Sequence, residues 1–153
     1  MITSAVAFIA LSLLSAAGEW EVIDLNLGVD FNDIFAISPD NIWAVGERRA
    51  LGECGDKFQS FALRSTNGGK EWSIALKSKE NEIFQAVYFL DENHGWISIG
   101  LGKTSIMRTT DGGRTWRESE VPCWVFDIQF LNPKEGWAVG GRWAGNGYTG
   151  LIL

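Results

Sequence analysis

Ser65-Thr66-Asn67-Gly68-Gly69-Lys70-Glu71-Trp72 returns as Thr109-Thr110-Asp111-Gly112-Gly113-Arg114-Thr115-Trp116, and this pair decides the fold. Asn67 to Asp111 is a step of 44 residues. An Asn or Asp ahead of two glycines can bond its side chain to turn amides, while each Gly tolerates positive φ. The Trp that closes each octet starts the next extended segment. Each octet therefore predicts a hairpin turn.

Working outward, a second motif occurs three times, as Ile42-Trp43-Ala44-Val45-Gly46, Gly95-Trp96-Ile97-Ser98-Ile99-Gly100 and Gly136-Trp137-Ala138-Val139-Gly140. Ahead of each lies an alternating run, over 33–37, 86–90 and 127–131. Trp96 to Trp137 spans 41 residues; Trp43 to Trp96 spans 53, because extra residues lie between Gly46 and Phe61. Each unit reads as four strands: the alternating run, the Trp-containing strand, a third at Phe61–Arg64 or Ser105–Arg108, and a fourth beginning at Trp72 or Trp116. Apolar residues here alternate by two, whereas a helical repeat needs spacings of three and four. Short strands at this period predict an all-β propeller of antiparallel four-stranded blades. The blades are expected over 31–76, 83–120 and 124–153, the last incomplete, so about two and a half are present.

The chain has 153 residues, 46% apolar and 21% charged, with 18 Gly and 8 Trp. That is a globular composition rich in turns and aromatics. A net charge of -6 argues against nucleic acid as a partner, which needs a basic footprint. Residues 5–14 are a short apolar run followed by Ser15-Ala16-Ala17, small residues suited to signal-peptidase cleavage before Gly18. This predicts a signal peptide over 1–17 and an exported protein, although no Lys or Arg precedes the run; the alternative is a buried strand or helix. The run is too short to span a bilayer, so no integral membrane span is expected.

The repeated octet resembles the Asp box, or bacterial neuraminidase repeat. With Gly-Trp-Ala-Val-Gly ahead of Arg-Ser-Thr-Asn-Gly-Gly, the unit resembles the photosystem II assembly and stability factor family of propellers, from about Trp20 to the end. Asn67 in place of Asp and Glu71 in place of Thr depart from the box but leave the turn plausible. Trp20-Glu21-Val22-Ile23 resembles the strand that follows a box, so 20–25 is expected as a closing strand of the last blade. Residues 150–153 align with the third strand of the first unit, so the chain reads as a propeller fragment. A ring left open exposes sheet edges and apolar interfaces, from which aggregation of the isolated chain is expected.

Box turns lie on one face of such a propeller; the loops between second and third strands and the inter-blade links lie on the other. Those loops are expected over 47–58, 100–103 and 141–148. They place Arg48, Arg49, Lys103 and Arg142 near Trp143 and Tyr148, a candidate basic patch for carboxylates, a polypeptide or a glycan. The competing reading is ordinary solvated loop charge. Cys54 and Cys123 fall on the same face and are candidates for one disulfide, provided their Cα atoms come within about 7 Å. Ser65, Asn67, Gly69, Trp72, Thr109, Asp111, Gly113 and Trp116 read as box scaffold; Trp43, Trp96 and Trp137 read as inter-blade core. No cofactor and no metal site is expected: the cysteines are far apart in sequence, and His94, near Asp91 and Glu92, belongs to a turn.

Sialidases also carry Asp boxes, but with an arginine triad, a Tyr–Glu nucleophile pair and an acid/base Asp. Tyr88 and Tyr148 are the only tyrosines here, and no catalytic set is visible. The resemblance implies a non-enzymatic assembly scaffold that binds a protein or membrane-protein complex, photosystem II subunits in photosynthetic organisms. It would work in the periplasm, thylakoid lumen or extracellular space. The alternative is a secreted carbohydrate-active enzyme of sialidase or xyloglucanase type, its catalytic residues in other blades.

Overall fold

The computed structural model describes residues 22–50, 57–101, 103–143, 145 and 147–153. The alternating runs and Trp motifs pair as antiparallel neighbours and build three sheets. The first contains β1 (Asp30–Ala36), β2 (Ile42–Ala50), β3 (Lys57–Ser65) and β4 (Ser73–Lys77) in that order. The second contains β5 (Ile83–Phe89), β6 (Gly95–Gly100), β7 (Ser105–Thr109) and β8 (Arg117–Glu120). The third contains β9 (Trp124–Asn132), β10 (Glu135–Trp143) and β11 (Tyr148–Ile152). This is the expected all-β, partial β-propeller. Among the described residues no helix is long and apolar enough to cross a membrane.

The first strands, β1, β5 and β9, lie side by side, with β5 between the other two. Asp33 ties two of them: its Oδ1 accepts the Ile34 amide at 2.8 Å and its Oδ2 accepts the Val87 amide of β5 at 2.8 Å. Ser98 does the same between the second and third sheets, accepting the Ala86 amide and donating to the Val125 carbonyl, both at 3.0 Å.

The core lies between sheets. Trp43 on β2 is 1% exposed and stacks on Phe89 of the second sheet, centroids 4.7 Å apart, with Trp116 edge-on at 6.2 Å. One repeat later Trp96 is 3% exposed and stacks on Phe130 at 3.7 Å with 8° between planes. Trp137 holds the same motif position but is 62% exposed, having no described sheet packed on it. Phe89 and Phe130 lie flat because Gly95 and Gly136 face them; a Cβ at either glycine would meet the ring at 2.4 Å.

One expectation needs correction. Arg48, Arg49, Arg142 and Trp143 stand on strands, not in loops. The β2–β3 ladder runs out to Ala50↔Lys57, pairing Arg48 with Gln59 and Arg49 with Phe58. The β10–β11 ladder pairs Arg142 with Thr149 and Trp143 with Tyr148. Aromatic residues suit a pleated surface and extend both hairpins. Within the segment 20–25, expected to close the last blade, the described residues 22–25 form no ladder with the three sheets present. A strand needs a hydrogen-bonding neighbour; here Leu25 packs onto Phe61 and Leu63 of the first sheet, beside Leu27, Val29 and Trp72. Residues 1–17, with the expected signal peptide, lie outside the described residues.

Candidate partner-binding face

The box turns show what the octet does. Ser65 Oγ accepts the Gly69 amide at 2.9 Å and donates to Asn67 Oδ1 at 3.1 Å. Asn67 Oδ1 in turn accepts the Glu71 amide at 2.9 Å. The second box repeats this network: Thr109 Oγ1 accepts the Gly113 amide at 2.9 Å and donates to Asp111 Oδ1 at 2.8 Å, and Asp111 Oδ1 accepts the Thr115 amide at 2.9 Å. Trp72 and Trp116 each donate Nε1 to the carbonyl of the second glycine, at 3.0 and 3.1 Å. Both glycines of each turn have positive φ, between 71° and 85°. The side chains of each octet thus bond to one another and to the amides of their own turn.

Asp111 brings a carboxylate where the first box has the Asn67 amide. The Thr115 hydroxyl first, then the Thr115 amide and the Thr109 hydroxyl, lower its pKa to about 2. Each turn also docks on the β1–β2 or β5–β6 turn of its own sheet, through Gly68 to the Asp40 carbonyl at 3.2 Å and Gly112 to the Asn93 carbonyl at 3.0 Å. His94 sits in that second turn with Nδ1 at 2.9 Å from Asp91 Oδ2. Among the described residues, no group of His, Cys, Asp and Glu is arranged to hold a metal ion.

The opposite end of the sheets carries the candidate partner-binding residues. Arg48 and Arg142 occupy one register position, five residues beyond Trp43 and Trp137; Leu101 takes it in the second sheet, with φ of 65°. The cations differ in what already holds them. Arg48 donates to the Leu27 carbonyl and lies 5.6 Å above the Phe61 ring. Arg49 lies 5.9 Å above the Phe58 ring. Lys103 bridges Glu118 at 3.1 Å and Glu120 at 3.3 Å on β8. Those contacts, Glu118 first, raise the Lys103 pKa. Glu118 is held below its usual range, chiefly by the Ser105 hydroxyl, which donates to it at 2.7 Å. Arg142 is exposed and makes no ion pair or hydrogen bond among the described residues.

Beside Arg142 the structure adds what sequence reasoning missed. Pro122, on the link entering β9, and Trp124, the first residue of β9, form a cleft with Thr104, Cys123, Arg142 and Trp143. Trp124 is 38% exposed and Trp143 64% exposed. Cys123 is buried in the cleft floor. Cys54, its candidate disulfide partner, lies outside the described residues. The only advance signal for Trp124 was that it stands apart from every repeated Trp position.

The family model described as Photosynthesis system II assembly factor YCF48 matches residues 13–118. A curated relative, Photosystem II stability/assembly factor HCF136, chloroplastic, of Cyanidioschyzon merolae (strain NIES-3377 / 10D), is 36% identical over 58 residues, covering 35% of this chain and 13% of the relative. A solved structure of YCF48 bound to D1 peptide superposes with a TM-score of 0.62 and 19% identity. That match covers 90% of this chain and 44% of the other, and at that identity it shows the shared fold. The chain thus matches less than half the length of either protein.

Proposed function

The chain belongs to the photosystem II assembly factor YCF48 family of repeat propellers, and from that premise we propose that it is a non-enzymatic scaffold that binds a protein partner during photosystem II assembly. The observation that carries this reading is the family match over 13–118, which takes in both box turns. The names of the relatives agree: one is a stability and assembly factor, and the other was solved with a peptide bound. Neither name describes a carbohydrate-active enzyme, and the saturated Asp111 network supports a structural role for the residues that sialidases and this chain share.

The partner face is the end that carries Arg48, Arg49, Lys103, Arg142 and Trp143. Lys103 contributes least, since Glu118 and Glu120 already hold it. The signal-like segment over 1–17 and the chloroplastic relative support an exported protein, with the thylakoid lumen or periplasm as its site of action. The test is capture of photosystem II subunits from membranes of the source organism by the tagged chain. Charge reversal at Arg48, Arg49 and Arg142 together should abolish capture while the melting temperature holds. Undiminished capture by the triple variant would move the partner face elsewhere, and absence of photosystem II subunits from the wild-type capture would overturn the assignment.

A further inference from the structure

We propose that Asn67-Gly68 is a site of spontaneous deamidation, held silent by the folded first box turn and exposed when that turn opens. The Gly68 amide nitrogen loses its proton and attacks Asn67 Cγ. The bond from Cγ to the side-chain nitrogen breaks and ammonia leaves, giving a five-membered succinimide. Water then adds to one of the two ring carbonyls and opens the ring to Asp or isoAsp. Glycine puts no side chain in the way of this closure, so an Asn-Gly pair is intrinsically suited to it.

The folded turn restrains both reacting groups. Gly68 is exposed, but its amide donates to the Asp40 carbonyl at 3.2 Å, which ties the nucleophile to the β1–β2 turn. The side-chain amide of Asn67 is pinned through both of its polar atoms. Its Oδ1 accepts the Ser65 hydroxyl at 3.1 Å and the Glu71 amide at 2.9 Å, and its Nδ2 donates to Glu71 Oε2 at 3.2 Å. Ring closure rotates the Asn67 side chain and the backbone bond ahead of Gly68, so it must break these bonds together. Reaction is therefore confined to the fraction of molecules in which the turn has opened locally.

Neither product suits the turn, because the two boxes use different matched pairs. In the second box the Thr115 hydroxyl donates to Asp111 Oδ2. In the first box the donor and acceptor are exchanged: the Asn67 amide donates and the Glu71 carboxylate accepts. Conversion to Asp sets two carboxylates against each other with no donor between them, an unfavourable like-charge contact. Conversion to isoAsp routes the main chain through the former side-chain carbonyl, so the oxygen that bonded Ser65 and Glu71 becomes a peptide oxygen out of register. With its ammonia lost, a converted turn cannot revert, and each opening adds to the converted fraction.

The test incubates the full chain in mildly alkaline buffer, with and without urea, and follows residue 67 by peptide mass spectrometry. Electron-transfer fragmentation distinguishes Asp from isoAsp. Asn67 should convert about tenfold more slowly, or slower still, in the native chain than in urea, as when only the open fraction reacts. Glu71→Ala removes the acceptor of Asn67 Nδ2 from an exposed position. It should speed native conversion and leave the rate in urea unchanged. Asn67→Asp, the direct product, should melt below wild type, and adding Glu71→Thr, which rebuilds the pair of the second box, should recover most of that loss. Native conversion as fast as in urea overturns the proposal, as does a failure to convert in urea. So does a native rate that Glu71→Ala leaves unchanged, or an Asn67→Asp variant that melts at or above wild type.

Discussion

Replacing Gly113 by alanine should separate two costs that the box turn combines. Gly113 has φ of 85°, a conformation that costs an L-residue about 1–2 kcal/mol. Its Cβ would also stand 2.4 Å from Trp43 Cη2 and 2.9 Å from Cζ2, across the interface between the first two sheets. Trp43 cannot retreat easily, because Phe89 stacks on one side and Trp116 meets it edge-on. Overpacking of this kind typically costs about 1–3 kcal/mol more. Gly69 is the internal control: its φ is 81°, but the nearest atoms to an added Cβ stand 3.9 Å away. Gly69→Ala should therefore lose about 1–2 kcal/mol and Gly113→Ala about 2–5 kcal/mol. Urea unfolding followed by Trp fluorescence measures both. Equal losses would refute the packing of the second box against Trp43, and with it the mutual support of successive blades.

Other consequences are as concrete. Trp43→Ala should cost about 3–5 kcal/mol, the range for a buried aromatic, whereas Trp137→Ala, at an exposed position, should cost far less in the same denaturation series. Asp111 has a folded-state pKa near 2, below its unfolded value near 3.9, so its contribution is present above pH 4 and is lost as pH falls through 2. Asp111→Asn, the residue the first box already uses at Asn67, should keep the fold at neutral pH, and its melting temperature should fall less than wild type between pH 4 and 2. Lys103→Gln should leave partner capture nearly unchanged, because Glu118 and Glu120 already hold that ammonium; a loss as large as that of Arg142→Gln would contradict the charge assignment.

The blade was legible because its determinants are local. An Asn or Asp before two glycines specifies a turn by itself, and a Trp recurring at one strand position marks a shared packing environment. The loop end was less legible because its properties come from pairing between distant segments. Arg48 and Arg49 read as loop until Gln59 and Phe58 pair opposite them and carry the hairpin outward. Lys103 read as one of the patch cations because Glu118 and Glu120 reach it only through the β7–β8 register, in which Ser105 faces Glu120. Trp124 carried no repeat signal, since its exposure depends on where the start of β9 passes Gly100. The contrast among Trp43, Trp96 and Trp137 makes the same point: one motif gives buried or exposed side chains according to which sheet lies against it.

The central claim is that this chain serves photosystem II assembly through the end of its sheets opposite the box turns. Photocrosslinking tests it most directly, with benzoyl-phenylalanine placed at Trp143 in one variant and at Lys70, in the first box turn, in another. After irradiation with membranes of the source organism, the Trp143 variant should form a covalent adduct with a photosystem II subunit identified by mass spectrometry, and the Lys70 variant should not. Adducts only from Lys70, or adducts from Trp143 that contain no photosystem II subunit, would contradict it.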